Sequence, residues 1–266
     1  MPVPRFYLPP NRCAGDMLRL DGREAHHALH VLRLRRGEPA TVLDGAGGEF
    51  TCSVESCAHA ALTLRVLKKR FVPALPCSIT LLQAMPKGKI IEDIIQKAVE
   101  LGAGRIVPLL TERVVTRVTE RDAADKQGKW QQVAIEAIKQ CGAAWLPEIT
   151  APRPVADVIS AFSLQPSAFD LSLVGSLQTE RRHPRECLQD FQKTRARAPK
   201  NVGVWIGPEG DFTIEELKAI QSTGALPITL GRLVLRVETA AVYCLSILNY
   251  ELNSDQESGG FSAQRI

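Results

Sequence analysis

Val204-Trp-Ile-Gly-Pro-Glu-Gly-Asp-Phe-Thr213 and Leu230-Gly-Arg-Leu-Val-Leu-Arg-Val-Glu-Thr-Ala240 are the two stretches from which the rest of the chain can be read. The first has the pattern of a buried strand that stops at Gly207 and turns on Pro208 and Gly210. A helix restarts behind Thr213, and Glu216 three residues on completes a capping box. The second repeats the layout: a short strand, a Leu-Gly stop, an irregular loop, then a helix opened by Glu238 and Thr239. Glycines at two strand ends, each followed by a helix N-terminus, let backbone approach a ligand in the crevice above a parallel sheet. In α/β proteins such a crevice takes a nucleotide-like cofactor.

Outward from these stretches, everything after Cys77 alternates strands with helices, the mark of a parallel sheet. Strands are expected over Ser78–Ala84, Arg105–Leu110, Phe169–Val174, Asn201–Ile206 and Pro227–Leu230. Ile90, Ile91, Ile94, Ile95, Ala98 and Leu101 form the inner stripe of a helix. Further helices are expected over Lys126–Gln140, Ile214–Gln221 and Glu238–Leu252. The last has two apolar faces, Ala241, Cys244, Leu245, Leu248 and Leu252 on one, Tyr243, Ile247 and Tyr250 on the other. It is therefore either centrally buried or half of a subunit interface.

From Met1 to Arg70 the pattern is instead short strands: Arg5–Leu8, Met17–Leu20, Ala40–Leu43, Glu49–Val54 and Ala61–Leu67, with Asp44-Gly-Ala-Gly-Gly48 as a hairpin loop. One helix interrupts them, capped by Asp21 and carrying His26, His27, His30 and Leu32. The organisation expected is a small barrel-like β domain over 1–72, a proline-containing linker at Phe71–Cys77, an α/β domain over 77–253 and a flexible polar tail over 254–266.

With 266 residues, 45% hydrophobic and 23% charged, the composition is that of an ordinary globular protein. No apolar run spans a bilayer, and the opening Met-Pro-Val-Pro-Arg-Phe is no signal peptide, so a cytoplasmic protein without membrane contact is expected. The seven cysteines are odd in number and scattered, which points to reduced, mostly buried thiols. Residues 1–72 hold 11 Lys/Arg against 7 Asp/Glu, while the remainder holds 22 against 22. The basic excess sits around Arg33, Arg35, Arg36 and Lys68-Lys69-Arg70, as in a module that grips a polyanion, although a solvated face would carry the same charges.

The usual nucleotide signatures are missing: no G-x-G-x-x-G follows the first strand of the α/β part, and there is no G-x-x-x-x-G-K-[ST]. Nor is there a G-x-S-x-G elbow. His26 and His30 lie one helical turn apart, but only His59 and His183 remain elsewhere in the chain. No metal site is expected.

Several motifs occur in order from Arg5 to Leu252. They are Ile206–Thr213, Leu230-Gly with Leu235-Arg-Val-Glu-Thr-Ala240, Gln83-Ala-Met-Pro-Lys-Gly88, Gln96–Gly102, Pro108–Arg113 and His26–Arg35. Together they resemble the RsmE family of SPOUT-class RNA methyltransferases, which methylate N3 of a uridine in 16S ribosomal RNA of the small subunit. The resemblance implies an α/β fold with a trefoil-knotted SPOUT domain behind an N-terminal PUA-like β barrel. It also implies a homodimer and S-adenosylmethionine as methyl donor. Three positions depart from the family pattern: Asp211, where a second glycine is usual; Val237, where threonine is common; and Gly142-Ala-Ala-Trp145, which lacks an arginine.

Carried onto this sequence, the cofactor residues are Val174, Gly175, Ile206, Gly207, Glu209, Gly210, Leu230, Gly231, Leu235, Thr239 and Ala240. Removal of the weakly acidic N3 proton calls for charge stabilisation or a base. Arg236 is the candidate for the first and Glu209 or Glu238 for the second, though a carboxylate at Glu238 also suits a helix start. Candidate RNA contacts are Arg5, His26, His27, His30, Arg33, Arg35 and Arg36, with Arg113 facing either RNA or the cofactor pocket.

Overall fold

The computed structural model describes residues 3–58, 60–88, 90–113, 120–163, 168–178 and 180–253. The expected tail over 254–266 lies outside the described residues.

The N-terminal strands are β1 (Arg5–Tyr7), β2 (Met17–Leu20), β3 (Pro39–Leu43), β4 (Gly48–Ala58) and β5 (Ala61–Phe71). They form one sheet in the order β1-β3-β4-β5-β2, in which β1 and β3 run parallel and the other pairs antiparallel. Alternation sends Phe6, Leu18, Leu20, Val42, Leu62 and Leu64 into a common core, each fully buried. The hairpin at Asp44 forms as the sequence suggests: its Oδ1 accepts the N–H groups of Ala46 and Gly48, each at 2.7 Å. β4 and β5 are longer than alternation alone indicated, because each continues past its regular stretch through register shifts at Thr51/Cys52 and Val54/Ser56.

The helix near His26 departs from expectation. It is α-helical only over Gly22–His26 (α1) and continues as a π-helical turn over His27–Val31. Asp21 does not cap it. Its carboxylate instead grips both Nη atoms of Arg12, at 3.0 and 2.7 Å, a bidentate charged pair that competes with the cap.

After the linker come β6 (Ser78–Ala84), α2 (Ile90–Glu100), β7 (Ala103–Leu110), α3 (Glu120–Cys141), β8 (Glu148–Ile149), β9 (Arg153–Pro154) and α4 (Val155–Ser163). These are followed by β10 (Leu171–Gly175), α5 (Pro184–Arg195), β11 (Asn201–Ile206), α6 (Ile214–Ser222), β12 (Leu226–Ile228) and α7 (Val237–Asn253). The strands run β12-β10-β11-β6-β7-β8, with β9 also beside β7, and every pair is parallel. Such a sheet is covered on both faces, so its central strands are largely apolar, with Thr80, Gln83 and Ser172 as buried polar exceptions. β6 is buried at every position after Ser78, and β11 at every position after Asn201. Trp205, Phe212, Leu82 and Val107 lie in one core cluster. The α7 face of Ala241, Cys244, Leu245 and Leu248 is buried, whereas Tyr243 and Tyr250 are exposed.

The expected strand at Pro227–Leu230 is shorter and earlier, since Thr229 turns away to pair its Oγ1 with Gly231. The helix α5, absent from the sequence-based expectations, buries only Pro184, Cys187 and Leu188, too few positions for an apolar stripe to show. The α3 helix begins six residues before the expected Lys126. All seven cysteines are free, and burial pushes the Cys77 and Cys244 thiols up to about 12.

Asp170 ties the starts of β10 and β11 together. Hydrogen bonds from the Arg197 guanidinium, then from the Lys200 and Asn201 N–H groups, hold its carboxyl well below the usual carboxylate range. A depressed folded-state pKa stabilises the fold above the unfolded pKa and stops doing so as pH falls through the folded value. The Asp170→Asn variant should therefore melt below wild type above about pH 4 and converge with it toward pH 2. Thermal melts across that range check this, and a pH-independent gap would refute it.

The contacts divide the chain into two compact units, residues up to Ala74 with Ala134–Pro147, and Leu75–Val133 with Glu148 onward. A segment from the middle of the chain, Ala134–Pro147, thus has its contacts with the first unit. Its side chains show why. Arg5 Nη1 donates to the Lys139 and Gln140 carbonyls at the end of α3, at 3.3 and 3.0 Å. The buried Lys139 ammonium meets Glu24 at 2.8 Å, and Trp145 Nε1 donates to the Val72 carbonyl at 2.9 Å. None of these pairings is local in sequence.

Candidate active site

The ends of β10, β11 and β12 open into a cavity of 420 Å³, a size suited to a nucleoside-like ligand. Gly175, Ile206 and Ile228, the last residues of these strands, form its floor. Leu230, Gly231 and Leu235 from the loop before α7 form a second wall, and Gly207, Glu209 and Asp211 a third. Arg236 and Glu238 both line the cavity at the start of α7, where the Arg236 carbonyl accepts the Ala240 N–H at 2.8 Å.

Two glycines are constrained for different reasons. Gly231 has φ +115°, a conformation that L side chains rarely adopt, although nothing crowds it. At Gly207 a Cβ would lie 3.1 Å from Asp211 Oδ1 and 3.2 Å from the Phe212 ring, so a side chain there would make these neighbours give by a few tenths of an ångström. Gly175 and Gly210 are less constrained: a Cβ there would meet its neighbours at 3.6 and 3.5 Å, ordinary contact distances.

The turn between β11 and α6 is tied to other loops by its own side chains. Thr213 Oγ1 accepts the Glu216 N–H at 3.1 Å and Glu216 Oε2 accepts the Thr213 N–H at 2.9 Å, the capping box the sequence indicated. The other oxygen of Glu216 accepts the Glu112 N–H at 2.9 Å. Arg113 Nη1 donates to the carbonyls of Gly210 and Asp211. Glu209 Oε1 accepts the Lys87 N–H at 3.0 Å, joining the turn to the loop after β6.

Most of the cofactor candidates converge on the cavity: Gly175, Ile206, Gly207 and Glu209, then Leu230, Gly231, Leu235 and Ala240. Three are not among its lining residues. Val174 is fully buried in the sheet, Gly210 faces Arg113, and Thr239 is exposed on α7. Sequence reasoning missed Ser176, Leu177 and Arg181, which follow β10 and carry no turn motif, and Ile90, whose place in an apolar stripe reads as core. Arg181 Nη1 donates to the Ser176 carbonyl at 3.2 Å.

In the first unit, His26, His30, Arg33, Arg35 and Arg36 are exposed. The rings of His26 and His30 lie 4.9 Å apart, and Arg36 reaches Glu55 at 3.4 Å. His27 is half-buried, edge-on to Phe6 at 6.2 Å, and Arg5 is engaged at the end of α3. Among the described residues no group of three or more His, Cys, Asp or Glu is placed to hold a metal ion. Among them, too, no helix is long and apolar enough to cross a membrane.

Comparison with known proteins places this geometry in a family. Residues 73–249 match the model of the RNA methyltransferase domain, and residues 20–66 that of the RNA methyltransferase PUA domain. The ribosomal RNA small subunit methyltransferase E of Synechocystis sp. is 30% identical over 94% of this chain and 78% of its own length. That of Mycobacterium tuberculosis is 30% identical over 90% and 88%. A Legionella pneumophila methyltransferase solved with SAM bound shares 31% identity at a TM-score of 0.82, covering 94% of this chain and 98% of that one. The Neisseria gonorrhoeae ribosomal RNA small subunit methyltransferase E, solved with S-adenosyl methionine, shares 27% at a TM-score of 0.78 with the same coverage.

The cavity suits S-adenosylmethionine. Ile206, Ile228, Leu230 and Leu235 give part of its lining an apolar surface, as a nucleoside-containing ligand requires. The architecture is the one the motifs implied, a PUA domain followed by a SPOUT-class methyltransferase domain. The chain belongs to the RsmE family of S-adenosylmethionine-dependent RNA methyltransferases.

Proposed function

We propose that the protein methylates N3 of one uridine in the 16S RNA of the small ribosomal subunit, in the cytoplasm and as a homodimer. The observation that carries this reading is the placement of Arg236 and Glu238 together on the wall of a cavity built from strand-end glycine loops. When bound, S-adenosylmethionine supplies a methyl group activated by its sulfonium. The chain supplies position and charge. Arg236 stabilises the negative charge that spreads over the uracil carbonyl oxygens as N3 loses its proton. Glu238, half-buried on the first turn of α7 beside Arg236, is assigned the proton, while Glu209 Oε1 holds the Lys87 N–H. The methyl donor is already activated, so placement accounts for most of the acceleration.

The exposed His26, His30, Arg33, Arg35 and Arg36 suit a phosphate-tracking surface, with salt-sensitive affinity. Arg5 and His27 serve that unit's own packing, and Arg113 serves the cofactor turn. Exposed Leu233, Val234, Tyr243 and Tyr250, at 79, 76, 44 and 70%, suit an apolar interface between two copies.

Mass mapping of ribosomal RNA from cells with and without the gene tests the assignment. One uridine should lose a base methyl group in its absence. A methyl group lost from a ribose instead would point to 2′-OH transfer, and an unchanged map would reject the proposal.

A further inference from the structure

Asp211 occupies a conformation that costs energy, and its side chain bonds both its own turn and a second loop. Its φ is +61°, in the left-handed region, which aspartate tolerates better than most residues but glycine adopts freely. Its Oδ1 accepts the Phe212 N–H at 2.8 Å. Its Oδ2 accepts the Leu177 N–H at 3.0 Å and Gln178 Nε2 at 3.3 Å. Gln178 Nε2 also donates to the Phe212 carbonyl at 2.7 Å, and its N–H donates to Ser176 Oγ at 3.1 Å. These bonds join the loop after β10 to the turn after β11, and Ser176, Leu177, Gly207 and Asp211 all line the cavity between them. The Leu177 side chain is 53% exposed, so apolar packing contributes little to holding this loop.

We propose that Asp211 is a positioning residue for cofactor binding. Together with Gln178 it clasps residues 176–178 against the 207–212 turn, holding the Ser176–Leu177 wall in its binding geometry before the cofactor arrives. This rests on the cavity being the S-adenosylmethionine site. Without the clasp, binding itself must order the loop, and affinity falls accordingly. The wall is common to S-adenosylmethionine and to its demethylated product, S-adenosylhomocysteine, so both lose affinity together.

Calorimetry with both ligands, alongside melting of the free protein, tests the clasp. Asp211→Gly removes the carboxylate and relieves the backbone, so the free protein should melt as wild type does while both dissociation constants rise about tenfold. Gln178→Ala should raise them about threefold, and the double variant by less than the two effects combined, because both side chains hold the same pair of loops together. Asp211→Asn, which tolerates the same φ and keeps an acceptor, should restore most of the affinity. Affinities of Asp211→Gly within twofold of wild type would overturn the proposal. So would a double variant that loses the sum of both effects, or a loss confined to S-adenosylmethionine, which would signal a direct charge contact. Should Asp211→Gly fail to fold, unchanged binding by Gln178→Ala overturns it equally. A wild-type protein that binds neither ligand would remove the site itself, an outcome distinct from all of these.

Discussion

The Arg236→Ala enzyme should transfer methyl groups about 10²–10³-fold more slowly than wild type, the range typical for removing one charge-stabilising group from an active site. Its affinity for S-adenosylmethionine should stay within about threefold. The separation follows from where the residue sits. Its backbone is fixed by the Ala240 N–H at the start of α7, while its side chain is exposed at the cavity wall. Truncation therefore opens no core cavity and leaves no buried partner unpaired, so the melting temperature should not change measurably. On the role proposed for Arg236, what is lost is a permanent positive charge needed only as N3 becomes anionic. Lysine at this position should recover part of the rate, since it restores the charge but not the planar fork. Single-turnover methylation paired with calorimetry measures both quantities. Near-normal turnover by Arg236→Ala would reject the role assigned to it.

Trp205→Ala should be the most damaging single change to stability, costing about 3–5 kcal/mol and lowering the melting temperature of the second unit by roughly 6–20 °C. Trp205 is fully buried on β11, between Val174 of β10 and Leu82 of β6 in the ladder. Its ring meets Phe162 edge-on at 6.1 Å, and Phe162 in turn meets Phe169 at 4.8 Å. Truncation leaves these rings facing a void. It also removes the Nε1–H that donates to the buried Ser172 hydroxyl at 3.1 Å, leaving that group without its donor. Trp205→Phe refills most of the volume without the donor and should cost about 1–2 kcal/mol. Denaturant titration with unchanged slope would assign the loss to the folded state, whereas a midpoint within error of wild type would refute this account.

Where the sequence was legible, the signal was local. The capping box at Thr213 is visible as a residue type and its partner three positions on, and both bonds form. The α2 stripe is visible because burial on one helical face leaves a period in the chain. Where it was not legible, a distant partner overrode a local preference. Asp21 has the residue type of a helix cap, yet Arg12 takes its carboxylate. β4 and β5 extend past their alternating stretches because each supplies the other's hydrogen bonds through a shifted register. α5 shows no stripe because so little of it is buried.

The chain by itself determined the parallel α/β class, the two strand–turn–helix segments that frame the pocket, and the family with its cofactor. Each of these is written in short local motifs, read one after another along the chain. Tertiary structure alone decided that residues 134–147 join the first unit, that Leu177 and Arg181 complete the cavity, and that Glu209 is drawn to a backbone N–H 122 residues away. The reason is strand order. A periodic pattern records which face of an element is buried, but only the sheet, by setting which strand ends lie side by side, determines which loops meet.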